Sequence, residues 1–407
     1  MKRLFLFLHL LLATIVAVGQ NVQDDMPINL PELYSQIDEA IEQSHHFISQ
    51  YEENILKTKQ TLQQAASDDQ RLMTLMELSQ MYESFNGDSA QAYTDRAWQL
   101  ARQAGYKEIE GECLARQAFL CTFLGSQTEA LTLLSRVNPD SLDHEALYTY
   151  HRAYMTAYSN LAENTKLADM RHEFGELYKQ SVNNLLSVAP EGSEMYLGYY
   201  EPVLLSEGKL AEALKNNDKR LNMTQPGTHQ NAIVCYSRHT IYRMMGDMEK
   251  AKYWLCQSAL DDVRCATLDQ MSLITLAELL DAEGDTERAN RYITFTWECN
   301  RRFSPHMRSW QIAPLLSAIE QSYQSKLDSK SRILFYWTVA VSVLMLIIAV
   351  ILFYVNRQRK QMRMMKQELE QNNKELQTAN HKLKLMNEWA KKSNEELWAV
   401  NKKLTEQ

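Results

Sequence analysis

The chain has 407 residues, 23% of them charged, and a formal net charge of −8. Its 12 Gly and 8 Pro are far below the usual share of about 12%, which excludes collagen-like and loop-rich β architectures and predicts helices joined by short turns. The acidic balance disfavours binding of nucleic acid or an anionic membrane surface by the part of the chain that carries it.

Met1 to Gly19 has a basic start at Lys2 and Arg3, an apolar run from Leu4 to Val18, and small residues at Ala17 and Gly19. This is the pattern of a secretory signal peptide, residues 1–19. An uncleaved anchor is the alternative, although fifteen apolar residues containing His9 are short for a span.

Residues 20–65 carry Tyr34, Ile37, Ile41, Ile48, Tyr51, Ile55 and Leu62 in steps of three, four and seven. Such a stripe predicts a long helix that caps the array following it, with dimerisation as the alternative.

Residues 66–305 repeat. Gly87 and Gly125 are 38 apart, as are Gly208 and Gly246, and Gly246 and Gly284. An Ala follows each by five, at Ala92, Ala130, Ala213, Ala251 and Ala289. A further step of 38 from Gly125 reaches Glu163, where the glycine is lost and Ala168 is kept; the next step is 45. A period of this size in a helical chain predicts stacked helix pairs whose apolar faces are covered only by neighbouring pairs. Glycine lets the backbone reverse tightly, and Ala lets the second helix approach the first. At GDMEKAKYWLCQSAL and GDTERANRYI the chain resembles the tetratricopeptide repeat (TPR). It departs in its longer period and in Gln99, Val137 and Arg220, which stand seven after an Ala where a small residue is usual.

TPR analogy places first-helix residues on a concave face, which in the last two repeats are Tyr236, Thr240, Arg243, Glu278 and Asp281. These are the candidate partner-binding residues. Six cysteines (Cys113, Cys121, Cys235, Cys256, Cys265, Cys299) form no CxxC pair and no zinc spacing. They read as buried small hydrophobes, with pairing in an oxidising compartment as the alternative.

Residues 306–332 continue as a connecting helix through Trp310, Ile312, Leu315, Leu316 and Ile319. Ile333 to Val355 is 23 residues without a charge; at about 1.5 Å each it reaches ~35 Å, enough to cross a bilayer. Arg357, Arg359, Lys360, Arg363 and Lys366 follow it at once, so the positive-inside rule places the tail in the cytoplasm and the repeats outside, in a bacterial inner membrane with the array in the periplasm. The tail has 12 Lys and Arg against 7 Asp and Glu; removing these and the two leader cations from totals of 43 and 51 leaves 29 and 44, a net −15 for the exported part. The tail's cations fit anionic head groups better than DNA, and no nucleic-acid partner is expected within the chain.

Residues 356–407 read as a cytoplasmic coiled coil. Leu369, Leu376, Leu383, Leu397 and Leu404, with Met362 and Ala390, recur every seven residues, and Asn373, Asn380, Asn387, Asn394 and Asn401 recur four after the series positions from 369 onward. Polar core residues favour a two-stranded register at a cost in stability, so a homodimer that shifts between packings is predicted. A plain dimerisation rod or a single solvated helix is the alternative.

No GxxxxGK[ST], GxSxG or HExxH occurs, and His381 has neither an acidic neighbour nor a kinase domain after it. His45, His46, His144, His151, His172 and His239 lack metal-ligand company at helical spacing. The chain is therefore read as not an enzyme, with no catalytic residues, cofactor or metal.

The order of signal peptide, TPR array, single span and Leu/Asn coil resembles a family of uncharacterised membrane-anchored bacterial TPR proteins typical of Bacteroidetes-type genomes. The best-matching stretches are Gly87 to Trp98 and Ser258 to Tyr292. The resemblance implies a one-piece regulator in which a helix-turn-helix-like output region follows the coil. This chain stops at Gln407, so no DNA-binding residues are assigned. The expectation is an all-α membrane-anchored sensor or adaptor: a TPR-like α-solenoid that binds a peptide or protein, a single transmembrane helix, and a C-terminal coiled coil acting in transcriptional regulation. A non-signalling envelope scaffold is the alternative.

Overall fold

The computed structural model describes residues 28–304 and 309–405, with side chains in the last helix described from residue 312. The leader at 1–19, the beginning of the 20–65 stripe and the Trp310 side chain lie outside the described residues. Among the described residues there is no strand. Two units are distinguished, one ending at Ser325 and one from Lys326 to Gln407.

The first unit holds two leading helices, α1 (Leu30–Glu42) and α2 (Ser44–Gln64), and then six pairs. The pairs are α3 (Asp68–Tyr82) with α4 (Gly87–Ala104), α5 (Lys107–Phe123) with α6 (Gln127–Leu134), and α7 (His144–Asn164) with α8 (Ala168–Val188). They continue with α9 (Glu194–Ser206) and α10 (Leu210–Leu221), α11 (His229–Met245) and α12 (Met248–Arg264), and α13 (Met271–Ala282) and α14 (Thr286–Phe303). The chain thus forms the all-α TPR-like solenoid that its repeats predict. The 45-residue step is taken up by the 21 residues of α8.

Four of the six turns within pairs share a left-handed glycine and a buried alanine, and the fifth pair shows how they work. Gly246, at φ 83°, ends α11 in the left-handed region, where its N–H donates to the Arg243 carbonyl at 3.1 Å and the next N–H, of Asp247, donates to that of Tyr242 at 3.0 Å. The Asp247 carboxylate then accepts from the Lys250 N–H at 3.1 Å, starting α12. Four residues into α12, Ala251 is fully buried, because a methyl group is all that fits where the helices of a pair cross. Gly125 with Ala130, Gly208 with Ala213, and Gly284 with Ala289 have the same conformation and burial.

Two repeats depart from this register. Gly87 is the first residue of α4, capped by Asn86, so Phe85 stands where four other units have glycine. Ala90 is fully buried while Ala92 is exposed. Ala168 is likewise the exposed first residue of α8.

The leading stripe is divided by a turn at Gln43, and its two helices join the ends of the array. Tyr51 on α2 donates its hydroxyl to the Met81 carbonyl of the first repeat at 2.6 Å. Leu33, Ile37 and Ala40 on α1 pack instead with Leu255, Ala259 and Ile293 of the last two repeats. Asp38 pairs with Arg288 and Arg291, both at 3.3 Å.

The array also closes directly. The Leu268 N–H donates to the Ser84 carbonyl at 2.9 Å, Asn86 Nδ2 to the Arg302 carbonyl at 2.7 Å, and the Ser304 hydroxyl to Asp88 at 3.1 Å. Tyr82 and Phe85 share one buried cluster with Leu268, Cys299 and Phe303, so the first repeat is covered by the last. All six cysteines are free, and all but Cys265 are buried; burial pushes the Cys113 thiol up to about 12.

The last helix, α15 (Ser309–Thr405), places Ile312 and Ile319 in the core of the array. Its apolar run, Ile333 to Val355, is exposed along its length. By length and composition this helix is able to cross a membrane. The leucines of the heptad series are exposed on the single chain.

Candidate functional site

In a superhelical array the first helix of each pair faces the inner side. Here α3, α5, α7, α9, α11 and α13 all contribute to one cavity of about 990 Å³, with Gln80, Arg116, Tyr148, Tyr199, Tyr236 and Ser272 among its lining residues. Contact between the first and last repeats gathers this inner face into one partly open chamber.

The wall is aromatic and charged. The Arg152 guanidinium lies 3.6 Å from the centre of the Phe119 ring and 3.4 Å from Glu83, whose second oxygen is 3.9 Å from Arg116. Burial disfavours the charge of Arg152, yet Tyr199, Glu83 and Tyr148 outweigh it and raise its pKa. Tyr148 and Tyr199 meet edge to face with ring centres 5.9 Å apart. Burial and the neighbouring Tyr199 push the Tyr148 hydroxyl well above its ordinary range.

Across the chamber, Arg220 holds Glu194 at 3.0 Å and Glu201 at 3.2 Å. Glu201 also accepts from Asn216 and Asn217 at 3.3 and 3.4 Å. Burial nevertheless raises the Glu201 pKa against the pull of Arg220. Near the closure, His229 Nδ1 lies 2.9 Å from Asp262, and Ser258 and Ser272 share a hydrogen bond of 2.7 Å. The wall carries Arg116, Arg152 and Arg220 against Glu83, Glu145, Glu194, Asp262 and Asp269, so it is acidic by two charges with His229 neutral. That potential favours a neutral or basic ligand.

Of the five residues proposed from the repeat pattern, Tyr236 lines the chamber, with its hydroxyl 3.3 Å from that of Thr275. Thr240, one turn on, is half-buried and donates to the Tyr236 carbonyl at 3.2 Å. Arg243, in the last turn of α11, and Glu278, on α13, are exposed, and Asp281 is half-buried. These four are not among the lining residues.

The Glu83, Arg116 and Arg152 group and the Tyr148 and Tyr199 pair escaped the sequence reading because their members stand on different helices. A weak signal exists: Arg116, Tyr199 and Ser237 each stand nine residues before a turn glycine, and all three line the chamber.

Residues 41–314 match the SusR N-terminal TPR domain. This is more than half of the chain, which therefore belongs to that family, and its array is a protein-interaction fold. No curated protein matches the chain.

Proposed function

From membership of the SusR N-terminal TPR family, we propose that the protein is a membrane-anchored sensor or adaptor whose closed array takes a segment of a peptide or protein partner into its inner chamber. The observation that carries this reading is the convergence of six first helices on one aromatic, acidic cavity. A volume of about 990 Å³ admits a short neutral or basic segment and not a folded domain.

The charge step across Ile333 to Val355 supports a periplasmic array and a cytoplasmic tail in the inner membrane. In this reading Ile312 and Ile319, buried in the array core, transmit a change of helix packing to a dimeric coil along the Leu and Asn series. The output is regulation of transcription through a cytoplasmic partner.

A photoreactive residue at Ile233, which is exposed and lines the chamber, tests the reading. It should give one defined adduct in cells that is lost on Tyr236→Ala, while the same probe at exposed Met73 gives none. Equal labelling from both positions would reject the chamber as the binding site.

The second reading is a scaffold that tethers partners without signalling. It is favoured by Arg116, Arg152 and Arg220 each already holding an acid, which leaves the chamber stable when empty. Inserting three or four residues in the coil separates the two, since a stagger in a heptad array abolishes a transmitted response and leaves a tether intact.

A further inference from the structure

We propose that His229, Asp262 and Cys265 form a zinc-type metal site in the chamber wall beside the closure. The His229 ring nitrogen, an Asp262 carboxylate oxygen and the Cys265 sulfur all lie within 4.8 Å of one another. Asp262 lies in the last turn of α12 and Cys265 caps its C-terminal end, while His229 opens α11. Zinc takes nitrogen, oxygen and sulfur ligands at about 2.0–2.3 Å in a tetrahedron. The ligand atoms must therefore stand on the order of 3.5 Å apart, a small adjustment from the present positions.

Charge bookkeeping in the chamber supplies the second reason. Its other strongly paired acids each have an arginine: Glu83 has Arg116 and Arg152, and Glu194 has Arg220. Asp262 is only 5% exposed, yet its polar partners are His229 and, at 3.4 Å, the Ser272 hydroxyl, with no lysine or arginine. Holding a carboxylate out of water without a permanent cation is costly. A divalent ion supplies that cation and, with the Cys265 thiolate it binds, reduces the wall's excess from two negative charges to one.

The backbone presents the sulfur. Ala266, in the left-handed region at φ 58°, turns the chain so that the Thr267 N–H returns to the Asp262 carbonyl at 3.0 Å, leaving Cys265 half-buried beside Thr267. Three protein ligands leave a fourth position for water or a donor from whatever enters the chamber. On binding, the Cys265 thiol proton goes to solvent, and His229 binds as the neutral imidazole through Nδ1 with its proton on Nε2. The inference stands without the signalling reading.

The test uses the full chain in detergent, stripped with a chelator and titrated with Co²⁺, then with Zn²⁺ in competition with a chromophoric chelator. The expected result is one equivalent of tetrahedral cobalt with a near-ultraviolet thiolate charge-transfer band, displaced by zinc. Cys265→Ser should abolish that band, and His229→Gln should weaken zinc binding by about tenfold or more. His229 is half-exposed, so its variant keeps the test open should Cys265→Ser fail to fold. Absence of the band in the wild-type chain, or a spectrum and affinity unchanged in both variants, overturns the proposal.

Discussion

The Leu268 N–H donates to the Ser84 carbonyl at 2.9 Å, which ties the loop between the fifth and sixth repeats to the end of α3 in the first. Around this bond Tyr82, Phe85, Leu268 and Phe303 form one buried cluster. An array whose units contact only their neighbours would leave both end faces to water. Here each end covers the other, and α1 with α2 lies across both.

Closure makes Phe303 a core residue although it stands at the end of the repeats. It is 3% exposed, and Phe303→Ala should cost about 3–5 kcal/mol in chemical unfolding of the full chain. The partly exposed Tyr106→Ala should stay within about 0.5 kcal/mol. Similar small losses for both would mean that the ends do not bury one another in solution.

The glycines that mark the period differ in what they tolerate. Gly246→Ala forces a methyl group into the left-handed region and should cost about 1–2 kcal/mol. At Gly87, which is helical, an added Cβ meets Leu124 at 3.4 Å and Phe303 at 3.6 Å, both ordinary contacts. Gly87→Ala should therefore lie within about 0.5 kcal/mol of wild type. Equal costs at the two sites would contradict the shifted register of the first repeat.

His239 should make the fold sensitive to acid. Burial lowers its pKa below the ordinary 6.5, with the hydrogen bond to Ala251 only partly opposing, and its Nε2 is buried without a partner. A group whose folded pKa is depressed leaves the unfolded chain binding more protons, so stability rises with pH in that window. The contribution is full above about 6.5 and is lost as pH falls from there. Thermal melting between pH ~7.5 and ~5.5 should fall more steeply for wild type than for His239→Gln, and parallel curves would remove His239 as the cause.

A parallel dimer in register places Asn387 of one helix against Asn387 of the other, four after Leu383 in the heptad. Asn387→Cys should then cross-link to a dimer under mild oxidation in membranes, and Lys391→Cys, four further on, should not. Equal cross-linking at both positions would indicate random collision, and none at either would leave the tail without this pairing.

Much of the fold is legible in the chain because its signals are local. A left-handed glycine, an Asp cap and a buried Ala act within about six residues, and at Gly246, Asp247 and Ala251 they read directly as the turn of a helix pair. The run from Ile333 to Val355 states its affinity for an apolar solvent in the same direct way. In the first repeat Gly87 imitates the spacing, while Ala90, two before the exposed Ala92, does the packing.

What the tertiary structure alone decided is which distant residues meet. Ile37 on Ile293, Phe85 on Phe303, and His229 beside Asp262 and Cys265 come from packing between elements far apart in the chain, and no spacing rule carries that information. The stripe on α1 and α2 is apolar whichever surface it covers, and only the array's curvature brought both ends within its reach. The chamber follows from that same curvature: the chain's periodicity determined the helix pairs and their shared core, and the small rotation from each pair to the next, summed over six, determined that they close.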